Sequence, residues 1–559
     1  MRSKAIFSIV CLLSIGCARP NEIIVHTENS ATRVEAVALG IMHVTSVAKG
    51  ESFPKEKSLC VLPVPGSAGC TKRQTSEYVE ITSEGLTARV DRQDGRVEFF
   101  RNGEKLLSEH SRSFVPFEAD GVKAYTVQQI FDSPDGEAFY GLGQHQADEW
   151  NYKGKNEELY QYNTKISVPF VVSSRRYGIL WDSYSFCRWG DSRPYAQLSD
   201  VFTLYDRYGN AGALTGRYLA ADGTVLERRE TNLEQEYLRT PQCDIVKNSP
   251  EGFDFNGSKV VYEGSLEAAV SGIHNFYLYY AGYTKVFLDG KEVVPERWRT
   301  AWNPNGWKFS ADMEKGVKTP IRVEWIPDGG VSYNALRVLS PVPEEERGLM
   351  SWWGEMQDNI DYYFVSSDSI DGVIGGYRRL TGKSPIIPKW ALGYWQSRER
   401  YTTQDEILSA LKEFRGRNIP IDNIVQDWQY WLPDQWGSHE FDLSRFPDPK
   451  AMVDSIHSLD ARYMISVWPK FYTGTEHFNE LDSKGWIYRT AVRDSVIDWL
   501  GYAQSFYDAY AEGARALFWQ QMKDHLLPLG VDAWWMDASE PNIHDCTDMD
   551  YRKAMSGPT

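Results

Sequence analysis

The first part of the chain alternates hydrophobic and polar residues in short runs that turn residues separate. The segment E-Y-V-E-I-T-S-E-G-L-T-A-R-V-D-R-Q-D-G-R-V-E-F-F-R-N-G-E-K-L-L, residues 77–107, is typical. A period of two indicates strands that bury one face, and Asp94-Gly95 and Asn102-Gly103 favour tight hairpin turns. The pattern therefore predicts an antiparallel β-sandwich over residues 21–215.

A second β-rich region follows over residues 216–342. It contains the run G-I-H-N-F-Y-L-Y-Y-A-G-Y-T-K-V-F-L-D-G-K-E-V-V, in which Asp289-Gly290 separates two alternating segments. Such a pair predicts a two-residue hairpin turn. We therefore predict a second all-β unit over these residues. The resemblance given below implies that this unit is inserted in the sandwich, with residues 343–385 as the sandwich return and linker.

The hydrophobic period changes near residue 386. Short apolar runs, which end near Trp395, Asp427, Trp468 and Asp537, alternate with segments whose apolar residues recur at helical spacing, such as T-T-Q-D-E-I-L-S-A-L-K-E-F-R-G-R-N. Repeated strand and helix require a parallel sheet. Residues 386–559 therefore predict the first four βα units of a (β/α)8 barrel, the first half of that fold.

Polar or indole side chains stand where these predicted strands end. Asp427, Trp468 and Asp537 close three of them, and Glu540 follows three residues after the last. The C-terminal strand ends of a (β/α)8 barrel carry its active site, so the pattern favours a carbohydrate pocket. The competing interpretation makes Asp537 a helix N-cap with Glu540 completing a capping box, and Asp427 the cap of a loop.

Charge and composition narrow the function classes. The formal net charge of −17 disfavours nucleic acid, because a phosphate backbone repels an acidic surface. The cysteines form no C-x-x-C pair and no histidine cluster has ligand spacing, which disfavours a metalloenzyme, so we expect no cofactor and no metal. The 20 tryptophans and 32 tyrosines suit stacking on sugars, although core packing accounts for most of them.

The first twenty residues predict a signal peptide. Arg2 and Lys4 precede an apolar core from Ala5 to Ile15, which is too short to span a bilayer. Gly16-Cys17 then matches a bacterial lipoprotein cleavage site. We expect an exported protein, periplasmic or anchored to the outer membrane of a Gram-negative bacterium, with Cys17 as a possible lipid anchor to the membrane. The sequence does not indicate an oligomeric state.

Six motifs in one order resemble glycoside hydrolase family 31, a group of retaining α-glycosidases. They are F-Y-G-L-G-Q (139–144), P-F-V-V-S-S-R-R-Y-G (169–178), W-A-L-G-Y-W-Q-S-R-E-R-Y (390–401), F-P-D-P (446–449), V-W-P (467–469) and W-M-D-A-S-E-P (535–541). The resemblance covers nearly all of the mature chain and implies that the sandwich is galactose-mutarotase-like. Residues 216–342 resemble the protective-antigen (PA14) type of module.

The resemblance also implies roles for individual residues. W-Q-S-R-E-R-Y together with the inserted module is similar to the α-xylosidases that act on xyloglucan fragments. Asp537 is then the nucleophile, which Glu540 supports through its neighbours. Sugar hydroxyls would bind Asp427, and Trp468 would line the same subsite. The indoles Trp395 and Trp428 are further candidates for the pocket wall, or else belong to the core.

The partner of the nucleophile is missing from this pattern. The family's acid/base aspartate lies on a later barrel strand, and no matching segment occurs before Thr559. Four βα units also leave a sheet edge unpaired. We therefore expect this chain to be part of a larger enzyme, with incomplete catalytic machinery and doubtful activity on its own.

Three hypotheses follow for the function. The first is a retaining α-xylosidase that hydrolyses terminal α-xylosyl residues of xyloglucan oligosaccharides. The second is an α-glucosidase of the same family. The third belongs to another class, a truncated glycan-binding surface protein without catalysis, in which residues 216–342 bind the sugar.

Overall fold

The computed structural model describes residues 21–540 except residues 56, 64–68, 120, 146–148, 162–164, 241–242, 300–304 and 330. The predicted signal peptide with Cys17 lies outside the described residues. None of the helices in the described part combines the length and apolarity that crossing a bilayer requires.

Two antiparallel sheets form the N-terminal sandwich and confirm that prediction. The first contains, in spatial order, Glu22–His26, Ser30–Ala38, Ile41–Ala48, Ile360–Ser366, Tyr177–Trp181, Ile166–Ser173 and Phe139–Gln144. The second contains Asn156–Leu159, Cys187–Gly190, Leu349–Gln357, Val122–Asp132, Glu104–Ala119, Val97–Arg101, Leu86–Asp91, Tyr78–Ser83 and Thr71–Gln74. Alternate residues of both sheets meet in one core, where Trp181 stacks on Trp352 with ring centroids 5.7 Å apart.

The predicted hairpins are present. Asn102 and Gly103 join two paired strands with φ angles of 49° and 88°, and Asp289 and Gly290 do the same with 50° and 71°. Two successive positive φ values match the right-handed twist of a hairpin, and Asn, Asp and Gly tolerate them best. Short-range sequence therefore determines these turns.

The inserted module consists of two further sheets. One contains Cys243–Lys247, Leu233–Thr240, Val331–Leu339, Gly272–Tyr280 and Asn305–Met313, with Ala196–Gln197 beside Val331–Leu339. The other contains Val225–Glu230, Leu214–Leu219, Lys259–Ala268, Lys318–Ile326, Gly282–Leu288 and Lys291–Arg299, with Phe202–Asp206 beside Lys259–Ala268. The module thus begins near residue 196, not at the predicted residue 216, because strands before 216 pair inside its sheets.

A buried cluster of charges joins the module to the sandwich. The module's Lys308 places its Nζ 2.7 Å from Oε2 of Glu157, on a sandwich edge strand, and also donates to the backbone carbonyl of Asn156. Lys165 and His145 lie 3.3 and 3.4 Å from the other carboxylate oxygen. Burial alone would raise the pKa of Glu157, but Lys308 and Lys165 lower it to about 2.

Residues 349–366 return to the sandwich as expected, as the strands Leu349–Gln357 and Ile360–Ser366. Helix Ile370–Thr381 follows and begins at Ser369, whose hydroxyl accepts the N–H of Gly372. It places Val373 and Leu380 against the first sheet. An extended segment then leads to the C-terminal domain.

The C-terminal domain alternates strand and helix, which confirms the predicted βα repeat. Four parallel strands, in spatial and chain order, are Trp395–Gln396, Asn423–Gln426, Arg462–Val467 and Ala533–Met536. The helices are Gln404–Gly416, Pro449–Ser458, Glu476–Ser483, Arg489–Arg493 and Glu512–His525, and the short pair Lys470–Tyr472 and Gln504–Phe506 stands beside them. The described part of this sheet is open, in agreement with a partial barrel.

Local signals explain where the barrel helices begin. In F-P-D-P the carboxylate of Asp448 accepts the N–H of Ala451, and Pro449 occupies the first helical position. Thr403 caps the preceding helix through the N–H of Glu406, whose carboxylate accepts the N–H of Thr402 in return. Both arrangements satisfy amide groups that a helix start leaves without partners.

Three histidine rings of the C-terminal domain pack against one another. The centroids of His439 and His477 are 5.2 Å apart, and those of His477 and His525 are 4.9 Å apart. Among the described residues, neither ring nitrogen of His439 has a hydrogen-bond partner. Burial, followed by the charges of His477 and His525, holds the pKa of His439 well below its ordinary value.

Acid is therefore expected to destabilise the protein through His439. Below about pH 6.5 the unfolded histidine takes up a proton and the folded one does not. Stability falls as pH decreases, by about 1.4 kcal/mol per pH unit for this group, until the depressed folded pKa is reached. His439→Phe should reduce this slope in urea unfolding between pH 7.5 and 5. Equal slopes for His439→Phe and the wild type would contradict the effect.

Candidate active site

Three neighbouring barrel strands end at the same edge of the sheet. Gln426 pairs with Ile465, and Val467 pairs with Met536, so the residues that follow these strands emerge side by side. The backbone N–H of Asp537 donates to the carbonyl of Val467 at 3.0 Å, which holds Asp537 at the edge of the ladder. The strands therefore bring Asp427, Trp468 and Asp537 together, as the sequence predicts.

The Asp537 carboxylate is half-buried and faces other acids. Its Oδ1 accepts the N–H of Ala538 at 2.9 Å. Burial raises the pKa of Asp537, that hydrogen bond opposes the rise, and the nearby charges of Asp427 and Glu540 add to it. Residues 537–540 form turns, and Asp537 caps no helix within the described range. The capping-box interpretation therefore finds no support in the described part of the chain.

The Asp427 carboxylate also lies at the rim. It is half-buried, and its Oδ1 accepts the N–H of Trp428 at 2.8 Å. Burial raises the pKa of Asp427, and the charge of Glu399 adds to the rise while Arg400 opposes it. Beneath it, the amide of Gln426 donates to the carbonyl of Tyr401 at 3.0 Å, which fixes the strand end. The carboxylates of Asp427 and Asp537 thus lie at the same edge of the sheet, where the parallel strands end.

Tryptophan rings form the wall beside these carboxylates. Trp428 stacks on Trp436 with centroids 5.4 Å apart and an interplanar angle of 23°. Trp468 meets Trp436 edge-on at 4.8 Å, and Trp499 packs against all three rings within 6.2 Å. Trp428, Trp468 and Trp499 are half-buried, whereas Trp436 is 1% exposed and packs among them as core. Carboxylates that accept hydroxyl groups, next to the half-buried indoles, can together hold a sugar ring.

The remaining predicted site residues have different surroundings. Glu540 is half-buried and acts on Asp537 through its charge. Trp395 packs against Trp390 at 5.9 Å and donates its indole N–H to the carbonyl of Ala391 at 3.0 Å. Its indole is therefore engaged by the segment before the first barrel strand, and no ring contact joins it to Trp428 among the described residues.

Sequence reasoning missed four residues of this region, which are Arg400, Trp436, Asp498 and Trp499. Trp436 and Trp499 stand in loops without a periodic pattern, so only the structure shows that they join the wall. Arg400 lies within the quoted W-Q-S-R-E-R-Y motif, and its guanidinium lies over Trp428 at 4.2 Å. In the described residues no group of three or more His, Cys, Asp or Glu side chains is arranged to hold a metal ion.

Comparison with known proteins agrees with this architecture. Residues 31–189 match the glycosyl hydrolase 31 N-terminal galactose mutarotase-like domain, and residues 384–558 match the glycosyl hydrolases family 31 TIM-barrel domain. The first matched region lies within the sandwich, and the second contains the parallel sheet that carries Asp427 and Asp537.

Individual relatives include α-xylosidases. The crystal structure of a family 31 α-xylosidase from Xanthomonas citri superposes with a TM-score of 0.87 and 42% identity, covering 97% of this chain and 59% of that one. An α-xylosidase of Saccharolobus solfataricus is 28% identical over 523 residues, which are 92% of this chain and 48% of the relative. An α-glucosidase of the same organism is 26% identical over 194 residues, which are 33% of this chain and 26% of the relative.

The chain spans about half the length of the curated α-xylosidase that it matches over most of its residues. Two domain models of one family nevertheless account for more than half of it, in the order and at the positions of the observed domains. The motifs, the strand-end carboxylates and the superposition agree, and the chain belongs to glycoside hydrolase family 31.

Proposed function

We propose that this chain supplies the nucleophile and the sugar-binding wall of a retaining α-glycosidase, which acts as an α-xylosidase on xyloglucan oligosaccharides. One observation carries the proposal: Asp537 ends the last described strand of a family 31 barrel domain beside Asp427 and a tryptophan wall. Similarity to α-xylosidases supports xylose over glucose as the sugar.

The chemistry follows from the residue types. A carboxylate oxygen of Asp537 attacks the anomeric carbon while the glycosidic carbon–oxygen bond breaks, and the leaving oxygen takes a proton from a general acid. Water then attacks the same carbon and gives its proton to that group, while the bond to Asp537 breaks, so that the carboxylate is regenerated and the sugar leaves with retained configuration. Asp427 accepts sugar hydroxyl groups. We assign no described residue as the general acid, because Asp427 and Glu540 have other roles.

A panel of glycosyl fluorides tests the proposal without a general acid, because fluoride leaves as an anion and needs no proton. We expect α-xylosyl fluoride to give a burst of fluoride stoichiometric with the chain, and mass spectrometry to find the xylosyl group on Asp537. α-Glucosyl fluoride should react at least about tenfold more slowly, since the pocket must accept an extra hydroxymethyl group.

The other outcomes favour the other hypotheses. Faster reaction of the glucosyl fluoride would favour an α-glucosidase, which the similarity to an α-glucosidase also allows. No reaction with either fluoride, combined with binding of xyloglucan oligosaccharides by the module, would favour a glycan-binding protein without catalysis. We also propose that the module is of the PA14 type and contributes to sugar binding. Binding of xyloglucan oligosaccharides by the module would support this role.

We further propose export to the bacterial envelope with a lipid on Cys17, which the N-terminal pattern supports. Expression in a Gram-negative host with a labelled fatty acid should label the chain, and Cys17→Ser should remove the label. Absence of label in both forms would contradict the lipid anchor.

A further inference from the structure

Two cations enclose the stacked indoles of the candidate site. The guanidinium of Arg400 lies over Trp428 at 4.2 Å, Trp428 stacks on Trp436, and the ammonium of Lys470 lies over Trp436 at 4.0 Å. Lys470 also lies 4.3 Å from the ring centre of Trp499. A cation over an indole face is attracted by the negative electrostatic potential of that face, more strongly when water is excluded.

The inner cation is fixed and deeply buried. Lys470 is 1% exposed, and its Nζ lies 2.6 Å from Oδ2 of Asp498, which is 2% exposed. The same oxygen accepts the hydroxyl of Tyr472 at 2.7 Å, while Oδ1 accepts the N–H groups of Leu500 and Tyr502 at 3.0 and 3.2 Å. A carboxylate held by this many donors allows the ammonium little freedom to move.

The stack connects loops that follow three different strands. Arg400 follows the first barrel strand, Trp428 and Trp436 follow the second, and Lys470 and Trp499 follow the third. Among the described residues the buried indole nitrogens of Trp436 and Trp468 have no hydrogen-bond partner. Packing and the two cations, rather than hydrogen bonds to the ring nitrogens, therefore determine where these rings lie.

We infer that Lys470 is a positioning residue for the sugar site, acting through the indole stack on Asp427. Three contacts connect the two residues. The Lys470 ammonium lies over Trp436, and Trp436 stacks on Trp428. The backbone N–H of Trp428 then donates to the Asp427 carboxylate. Lys470 itself is buried against Asp498 and the indoles. The inference rests on the proposed function, because Asp427 is taken to bind sugar hydroxyls.

Four forms of the chain test the inference, with D-xylose as the probe. Lys470→Met removes the cation. Lys470→Met combined with Asp498→Asn removes it without leaving a charged partner buried, so that folding is preserved. Lys470→Arg restores a cation. Lys308→Met, at the less deeply buried pair between the module and the sandwich, is the control. Each form is assayed by calorimetric titration with xylose and by near-ultraviolet circular dichroism, which reports the stacking of the indoles.

We expect the double variant to raise the Kd for xylose about tenfold and to lose part of the aromatic circular dichroism signal. Lys470→Arg should recover both, and Lys308→Met should leave the Kd for xylose unchanged in the folded protein. A folded double variant with wild-type Kd and wild-type spectrum would overturn the inference. If the wild type binds no xylose, the proposed function fails separately. The circular dichroism comparison then decides alone whether Lys470 positions the stack.

Discussion

Asp537→Asn is expected to reduce fluoride release from α-xylosyl fluoride by at least about 10³-fold, because an amide oxygen is far less nucleophilic than a carboxylate. The backbone position should persist, since it depends on the N–H of Asp537 and the carbonyl of Val467. The loss should therefore appear in the rate of the fluoride burst. The free energy of unfolding should be unchanged, or slightly raised, because the replaced carboxylate is half-buried beside Asp427 and Glu540.

Asp532→Asn is the matched control for this experiment. Asp532 precedes the same strand at its opposite end, where its Oδ2 lies 2.7 Å from His457 and accepts the N–H of Tyr463 at 2.9 Å. In a (β/α)8 barrel that end contributes to stability and the C-terminal end to catalysis. The control should lower stability and retain fluoride release in the folded fraction. Retention of the xylosyl adduct in Asp537→Asn would show that another residue is the nucleophile.

Lys308→Met is expected to lower the free energy of unfolding by about 1–3 kcal/mol, because the buried Glu157 carboxylate loses its nearest hydrogen-bonded cation while Lys165 remains 3.3 Å away. The side chains of Glu157 and Lys308 are 4% and 11% exposed, so water replaces the lost partner poorly. The pair joins the module to the sandwich. We therefore expect chemical denaturation to show the module separating before the sandwich unfolds, as a second transition in the variant.

Two further variants determine whether burial is the cause. Lys308→Met with Glu157→Gln removes both charges and should recover part of the lost stability. Lys259→Met breaks an exposed pair in the same module. Nζ of Lys259 lies 2.8 Å from Oε2 of Glu324, and the lysine side chain is 41% exposed. Losing this pair should lower the free energy of unfolding by no more than about 1 kcal/mol. A similar loss from both lysine substitutions would indicate that the cost comes from the lysine side chain itself and not from its buried charge.

Much of the fold follows from signals within a few residues of one another. Alternation with Asn102-Gly103 and Asp289-Gly290 predicts paired strands, and Asp448-Pro449 marks a helix start, because turn and cap geometry depends on adjacent residues. The parallel sheet follows from the repeated strand and helix. Asp427 and Asp537 could be predicted because each directly follows a strand whose end position is known.

The rest depends on pairing across the chain. Ala196–Gln197 is too short to show a period, and only its ladder with Val331–Leu339 assigns it to the module. The indole stack unites Trp428, Trp436 and Trp499, which lie in loops after different strands, and no local pattern shows which loop residues meet. The Lys470–Asp498 pair could not be predicted for the same reason, because sequence alone does not show that a charged residue is buried or which residue it pairs with.

The inserted module leaves and re-enters the sandwich at neighbouring points. Its first strand pairs with its last through Ala196 and Val338, and the flanking sandwich residues Gly190 and Ser351 are themselves paired. Because the folded module already holds its two ends close together, pairing the flanking sandwich strands costs little loop-closure entropy, even though the inserted chain is long. Such a junction allows a whole module to be inserted between two sandwich strands without breaking the ladder that joins them.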